Sequence, residues 1–164
     1  MKKILAALVV MITVQACTSN QNKEIEHGTW LKGDMEFFVE AIERQFNGFS
    51  RAMVEVNYRY GELYWAAQDQ NWQYADYQLE HIVEAIEKGY ERRPARIANS
   101  LDFLGAPTDI LQNAINANDL VQFNNAFRMF NAACKSCHIK EDVAFIQTII
   151  PEQRHTHTRF TTMN

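Results

Sequence analysis

The chain has 164 residues, of which 47% are apolar and 22% are charged, and its formal net charge is −4. This length suits one domain with a real hydrophobic core. Six Gly and three Pro are too few for a collagen-like, low-complexity or disordered chain. Because no basic stripe or cluster of Lys and Arg stands out, the composition also argues against a nucleic-acid partner.

The N-terminus has the features of an export signal. Two lysines after the initiator Met precede an almost unbroken apolar stretch, 4–14, which is shorter than the ~20 residues needed to cross a bilayer. Residues 14–17 then resemble the cleavage box of bacterial lipoproteins, with Val where Leu is more usual. The resemblance implies a lipidated Cys17 that ties the chain to the periplasmic side of a bacterial membrane, inner or outer. An ordinary secretory signal followed by a chance cysteine is the alternative.

Helical periodicity begins soon afterwards. Apolar residues recur at helical spacing along 35–67, and Gly48 is expected to divide this stretch into a short leading helix and a principal helix. The principal helix is predicted over about 50–68. The next helix is predicted over about 72–90, with Asn71 as its N-cap.

The second half of the chain predicts two more helices. Residues 95–106 are less regular, and Pro107 suits the first turn of a third helix. Asp119 can cap a fourth helix. One stripe of that helix carries Leu120, Phe123, Phe127, Phe130, Cys134 and Cys137. An apolar segment follows at 143–146, and the tail 151–164 is expected to be polar and loose. No strand is predicted, so the fold class is all-α, an antiparallel bundle of four helices.

The strongest functional signal lies near the end of the fourth predicted helix. Residues 134–138 form a C-x-x-C-H pattern, which is typical of the covalent attachment of one haem c. The thiols of Cys134 and Cys137, three residues apart on a helix, lie on one side and can each form a thioether with a haem vinyl group. His138 is then placed to bind the iron from the proximal side. The segment 143–146 is expected to pack over the haem edge.

Other uses of the two cysteines have less support. A thioredoxin-like redox pair belongs in a βαβ setting, and none is predicted. A zinc site needs further ligands, but there is no second pair of cysteines, and His155 and His157 lie in the polar tail. A third interpretation is a helical lipoprotein that binds another protein, with the two cysteines merely oxidised.

A haem motif at the end of the last of four helices resembles cytochrome c′ and its low-spin relatives. In ordinary small cytochromes c the motif lies near the start of the chain. The resemblance covers about residues 50–140. Residues 61–67, followed by Asn71 and Trp72, also resemble a segment of bacterial haem c proteins of unassigned function. The family likeness implies a haem inside the bundle, attached near the end of the last helix, with the first helix facing the other side of the iron.

In the low-spin relatives, a Met from the first helix is the second axial ligand of the iron. Met53 lies in the matching region, so the resemblance implies that it is the distal ligand here, although a Met at helical spacing can also be core filler. Met129 shares a helix with His138, and Met35 lies on the leading segment. His81 lies one position off its apolar stripe. These three are weaker candidates.

The predicted protein is a lipid-anchored, mono-haem c-type cytochrome that carries single electrons between unidentified redox partners at a membrane surface. No enzyme is inferred, because no distal acid–base group is evident. If Met53 is not bound to iron, the alternative is a five-coordinate, cytochrome c′-like protein that binds nitric oxide or carbon monoxide. Monomer and homodimer both stay open. The predicted domains are a signal peptide (1–16), a flexible tether (17–33), the haem domain (34–150) and the tail (151–164).

Overall fold

The computed structural model describes residues 25–27 and 30–158 and divides the chain into two compact units, residues 1–46 and 47–164. The expected signal peptide and the lipidation site Cys17 lie outside the described residues. Within the described part of the chain, no helix combines the length and the apolar character needed to cross a membrane.

The first unit contains a small hairpin and one helix. Strands β1 (Ile25–His27) and β2 (Leu31–Gly33) pair in antiparallel fashion. Helix α1 (Met35–Phe46) follows Asp34, whose carboxylate accepts a hydrogen bond from Phe37 N at 2.9 Å. The leading helix is therefore confirmed, whereas the prediction of no strand is wrong here. Strands of three residues are too short to show the period-2 alternation by which a strand is recognised.

The second unit is helical. In chain order its elements are α2 (Phe49–Gln68), α3 (Trp72–Arg92), a 3₁₀ turn (Pro94–Arg96), α4 (Ile97–Leu104), α5 (Ala106–Asn116) and α6 (Leu120–Lys140). The all-α expectation is confirmed for this unit. Helices α2 and α3 begin and end close to the predicted positions, and α5 and α6 begin close to theirs. Helix α2 packs against α3, α3 against α5, α5 against α6, and α6 against α2.

Two predicted caps fix where helices begin. Asn71 Oδ1 accepts a hydrogen bond from Tyr74 N at 3.1 Å and caps α3. Asp119 Oδ1 accepts from Val121 N at 2.8 Å and from Gln122 N at 2.9 Å, which caps α6. Each side chain satisfies backbone amides that the first helical turn leaves without a partner.

Helix α4 was not expected. Its residues fall in a stretch that was predicted to be irregular, but Phe103 is buried and its ring centroid lies 4.8 Å from that of Phe130. The Ser100 hydroxyl, also buried, donates to Arg96 O at 2.7 Å. Packing against α6 therefore stabilises a short helix that is too brief to show clear helical periodicity in the sequence.

Helix α6 supplies the centre of the core. Phe123, Phe127 and Phe130 have no exposed surface. The ring of Tyr60 lies 4.7 Å from that of Phe127 and 6.4 Å from that of Phe130, and Tyr64, one turn later, lies 5.1 Å from Phe127. Because residues later in α2 meet residues earlier in α6, the two helices run antiparallel.

The beginning of α2 and the end of α3 lie in close contact. The ring of Phe49 lies 5.7 Å from that of Tyr90. A Cβ added at Gly89 would lie 2.8 Å from the Phe49 ring and 3.2 Å from Ala52 Cβ. Glycine at this position therefore allows the two helices to come together.

The C-terminal tail is bound to the helices, so the expectation of a loose tail is wrong for residues 151–158. The guanidinium of Arg154 donates to both carboxylate oxygens of Asp69, at 2.6 Å each, and lies 5.0 Å from the centre of the Trp65 ring. The Thr156 hydroxyl donates to Glu62, which is 2% exposed. The polar character of the tail reflects these specific polar contacts.

Candidate functional site

The two cysteines of the motif lie on one side of α6 in its last two turns. Cys134 packs against the hydrophobic core, and Cys137 is half-buried one turn later. Both thiols are free. Residues three apart on a helix are neighbours on its surface, so the spacing places the two sulfur atoms along one face, as predicted.

The surroundings of the thiols disfavour their ionised form. Burial, and then the neighbouring Cys137, raises the pKa of the Cys134 thiol to about 12. Burial also raises the pKa of Cys137, although the nearby Ser100 hydroxyl acts in the opposite direction. Because the thiolate is the species that attacks disulfides, these pKa directions are opposite to those of a thioredoxin-like cysteine pair.

The imidazole of His138 is oriented by the backbone that follows α6. Its Nδ1 lies 2.7 Å from the carbonyl oxygen of Ile146. A carbonyl can only accept a hydrogen bond, so Nδ1 carries the hydrogen and donates it. In the neutral ring, Nε2 then carries the lone pair that can bind a metal. Metal-binding histidines in proteins commonly hold their other ring nitrogen in this way.

Residues 143–150, called the strap below, bring that carbonyl into place. The chain reverses after α6 at Asp142, which has a φ of 57°. Val143 N donates to His138 O at 2.9 Å, and Ile146 N donates to Val143 O at 2.8 Å. The strap therefore returns beside the last turns of α6.

The expectation that 143–146 packs over a haem edge stays a prediction. Phe145 is 81% exposed and Ile146 is 49% exposed. What the segment supplies to the motif is a backbone carbonyl. Sequence reasoning missed this role because a carbonyl group is common to every residue type.

Met53 lies on α2, half-buried and packed against the core. Tyr60, seven residues later, hydrogen-bonds to Asn131 of α6, and His138 lies seven residues beyond Asn131. Because the two helices are antiparallel and each residue advances the axis by ~1.5 Å, both intervals cover about 10 Å in the same direction. Met53 is therefore level with His138 along the helix axes, and its role as an iron ligand stays a prediction.

The weaker ligand candidates lie elsewhere. Met129 of α6 is 50% exposed, and Met35 belongs to α1 in the other unit. His81 of α3 packs edge-on against the Tyr77 ring, at 4.1 Å between centroids, and its Nδ1 lies 3.3 Å from Glu84 Oε2.

Helix α4 covers the motif from a second side, which the sequence did not predict. The Ser100 hydroxyl, which donates to Arg96 O at 2.7 Å, lies close enough to Cys137 to lower the pKa of its thiol. At the end of α6, Asn99 Nδ2 donates to Glu141 Oε1 at 2.8 Å, and Arg96 forms an ion pair with the same carboxylate. These contacts hold α4 against the last turns of α6.

Among the described residues, no group of three or more His, Cys, Asp or Glu side chains could hold a bare metal ion. Two thiols and one imidazole with a free Nε2 match instead what a covalently attached haem requires: two sulfur atoms for the macrocycle and one nitrogen for the iron. Comparison with protein-family models, with curated proteins and with solved structures finds no match for this chain.

Proposed function

We propose that this protein is a mono-haem c-type cytochrome that transfers single electrons at a bacterial membrane surface. Cys134 and Cys137 would hold the haem through thioether bonds, and His138 would be the proximal iron ligand. When bound, the haem supplies an iron that alternates between the ferric and ferrous states.

The observation that carries the proposal is the hydrogen bond from His138 Nδ1 to Ile146 O. It leaves Nε2 as the free nitrogen and fixes the orientation of the ring, two properties that an axial ligand needs.

The state of the thiols supports attachment over disulfide exchange. Burial keeps Cys134 protonated at neutral pH, with a pKa of about 12. A catalytic thiol would instead be exposed and have a lowered pKa. The two cysteines are therefore better suited to a permanent covalent role.

We also propose that the second unit is an antiparallel four-helix bundle of the cytochrome c′ class. Helices α2, α3, α5 and α6 pack in a closed ring, each against two of the others, and the α2–α3 and α5–α6 connections are short turns at 69–71 and 117–119. Short connections of this kind join antiparallel neighbours. The motif lies at the end of the last of these helices.

Met53 is our proposed second axial ligand. Its position level with His138 on the facing helix supports this role. A thioether opposite a histidine raises the reduction potential and fills the sixth coordination position, which suits an electron carrier better than a gas-binding or catalytic protein.

Attachment to the membrane rests on the N-terminal sequence. We propose that residues 1–16 are removed on export, that Cys17 then carries lipid, and that the domain acts on the periplasmic side. Two acyl chains suffice for stable anchoring without a membrane-spanning helix.

The first experiment is to produce the chain with haem c maturation and to record spectra of the oxidised, the reduced and the reduced, carbon monoxide-treated protein. We expect covalent haem, a low-spin spectrum, and no change with carbon monoxide. The Cys134→Ser, Cys137→Ser double variant is expected to lose covalent haem. If the unaltered protein carries no covalent haem, the proposal is wrong.

A ligand variant then separates the electron carrier from the gas-binding alternative. Met53→Ala is expected to convert the haem to a high-spin form that binds carbon monoxide. Met129→Ala, an exposed Met on the helix of the motif, is the control and should leave the spectrum unchanged. An unaltered protein that is already high-spin and binds carbon monoxide would favour gas binding and return Met53 to a packing role.

A further inference from the structure

Tyr60 is a buried tyrosine whose hydroxyl joins three parts of the second unit. It is 9% exposed, lies on α2, and its ring packs on the core phenylalanines of α6. Its hydroxyl lies 3.0 Å from Ile149 O in the strap and 3.1 Å from Asn131 Oδ1 in α6. This side chain therefore links α2, to which it belongs, with both α6 and the strap.

Only one of these two bonds can use the phenol hydrogen. Ile149 O is a backbone carbonyl and can only accept, whereas the amide of Asn131 can turn to present its NH₂ group to the phenol oxygen. The arrangement that satisfies all three groups has Tyr60 donating to Ile149 O and Asn131 donating to Tyr60. Asn131 is itself 8% exposed, so a satisfied arrangement matters for its burial.

Most of the apolar side chains of the strap are exposed and do little to attach it to the helices. Phe145, Ile146 and Ile149 are 81%, 49% and 64% exposed. Besides the packing of Ile150 against the core, the second half of the strap is held by Tyr60 and by the Thr148 hydroxyl, which donates to Asn131 O at 3.4 Å.

We propose that Tyr60 is a positioning residue for the iron ligand His138, acting through the strap. By binding Ile149 O, it keeps Ile146 O, three residues earlier, at hydrogen-bonding distance from His138 Nδ1. This inference rests on the proposed function, because it concerns how the imidazole meets the iron.

The consequence is a change in how strongly the imidazole donates electrons. A hydrogen bond from Nδ1 makes Nε2 more basic, and a more basic ligand stabilises ferric iron over ferrous iron. Loosening the strap weakens that bond. The reduction potential should therefore rise. In the Met53→Ala background, where the ferrous iron is expected to be five-coordinate, the iron–histidine stretching band should move to lower frequency.

The test compares Tyr60→Phe with Tyr64→Phe in the protein as produced. Tyr60→Phe removes one oxygen and keeps the ring on the core. Tyr64 is the matched control, since its ring packs on the same Phe127 from one turn further along α2. Hydrogen–deuterium exchange over 143–150 should accelerate roughly fivefold in Tyr60→Phe alone, as expected for the loss of one ordinary hydrogen bond.

Thr148→Val removes the other hydrogen bond that attaches the strap. This second variant is also expected to accelerate hydrogen exchange over 143–150 and to raise the reduction potential. If the strap exchanges equally in Tyr60→Phe and Tyr64→Phe, the inference is overturned. If hydrogen exchange in the strap accelerates but the reduction potential and the stretching band do not change, the positioning role is overturned as well.

The exchange measurement does not need haem. If the protein lacks covalent haem but Tyr60→Phe still accelerates exchange over 143–150, the proposed function is refuted. The contact between Tyr60 and the strap would nevertheless be supported. The two failures can therefore be told apart.

Discussion

Arg154 offers a direct test of whether the C-terminal tail is part of the fold. Its guanidinium binds both oxygens of Asp69 at 2.6 Å and lies 5.0 Å from the centre of the Trp65 ring. Arg154→Ala removes both contacts. Arg154→Lys keeps the charge but loses the planar, two-point geometry.

The expected magnitude follows from the burial of the pair. The two side chains are 16% and 28% exposed, so the charges are neither free in water nor deeply buried. At an effective dielectric constant near 20, the attraction is about 4 kcal/mol, and desolvation together with side-chain ordering offsets more than half of it. The cation–π contact adds ~0.5–1 kcal/mol. We therefore expect Arg154→Ala to lower the free energy of unfolding by about 2 kcal/mol and Arg154→Lys by about 1 kcal/mol.

Urea unfolding of the full chain, followed by circular dichroism, measures these differences, and hydrogen exchange over 151–158 shows whether the tail has detached. A double-mutant cycle with Asp69→Asn should give a coupling energy of about 1 kcal/mol, because the two side chains act on each other directly. If Arg154→Ala changed stability by less than ~0.5 kcal/mol, or if the cycle were additive, the tail would contribute no more than an ordinary surface ion pair.

Three further predictions concern the helices. A Cβ at Gly61 meets no atom within 4 Å, whereas one at Gly89 would meet the Phe49 ring at 2.8 Å. In thermal unfolding, Gly61→Ala should therefore raise the free energy of unfolding by about 1 kcal/mol. Gly89→Ala should have a free energy of unfolding at least ~1 kcal/mol lower than that of Gly61→Ala. Equal free energies for the two variants would contradict the close approach of α2 and α3. Phe127→Ala should destabilise by about 3–5 kcal/mol in urea, and a loss under 2 kcal/mol would show that its site collapses easily. Backbone hydrogen bonds in the first turn of α6 lower the pKa of Asp119. The ionised carboxylate therefore stabilises the fold at pH values above its unfolded-state pKa, and this stabilisation is lost as the pH falls through the folded-state pKa. Stability should thus decline less below about pH 4 in Asp119→Asn, which keeps the cap oxygen, than in the unaltered chain; identical pH profiles would exclude this contribution.

Local patterns in the chain were enough to predict much of the helical unit. Apolar residues at a 3.6-residue period indicated α2, α3 and α6, because burying one face of a helix demands that spacing. Asn71 and Asp119 marked helix starts, since their short side chains accept hydrogen bonds from the first turn. The C-x-x-C-H pattern placed two thiols and an imidazole on one helix end, because three- and four-residue spacing is local helical geometry.

Contacts between residues distant in sequence decided the rest. Helix α4 forms because Phe103 packs against Phe130 of α6, and a helix of eight residues is too short to show a clear period in the sequence. The tail binds because Arg154 meets Asp69, two residues that no sequence pattern connects. The orientation of His138 depends on the carbonyl of Ile146, eight residues away, in a strap whose Ile149 carbonyl accepts a hydrogen bond from Tyr60 of α2. Periodicity and capping are properties of neighbouring residues, whereas the setting of the imidazole depends on which segments meet once the chain has folded.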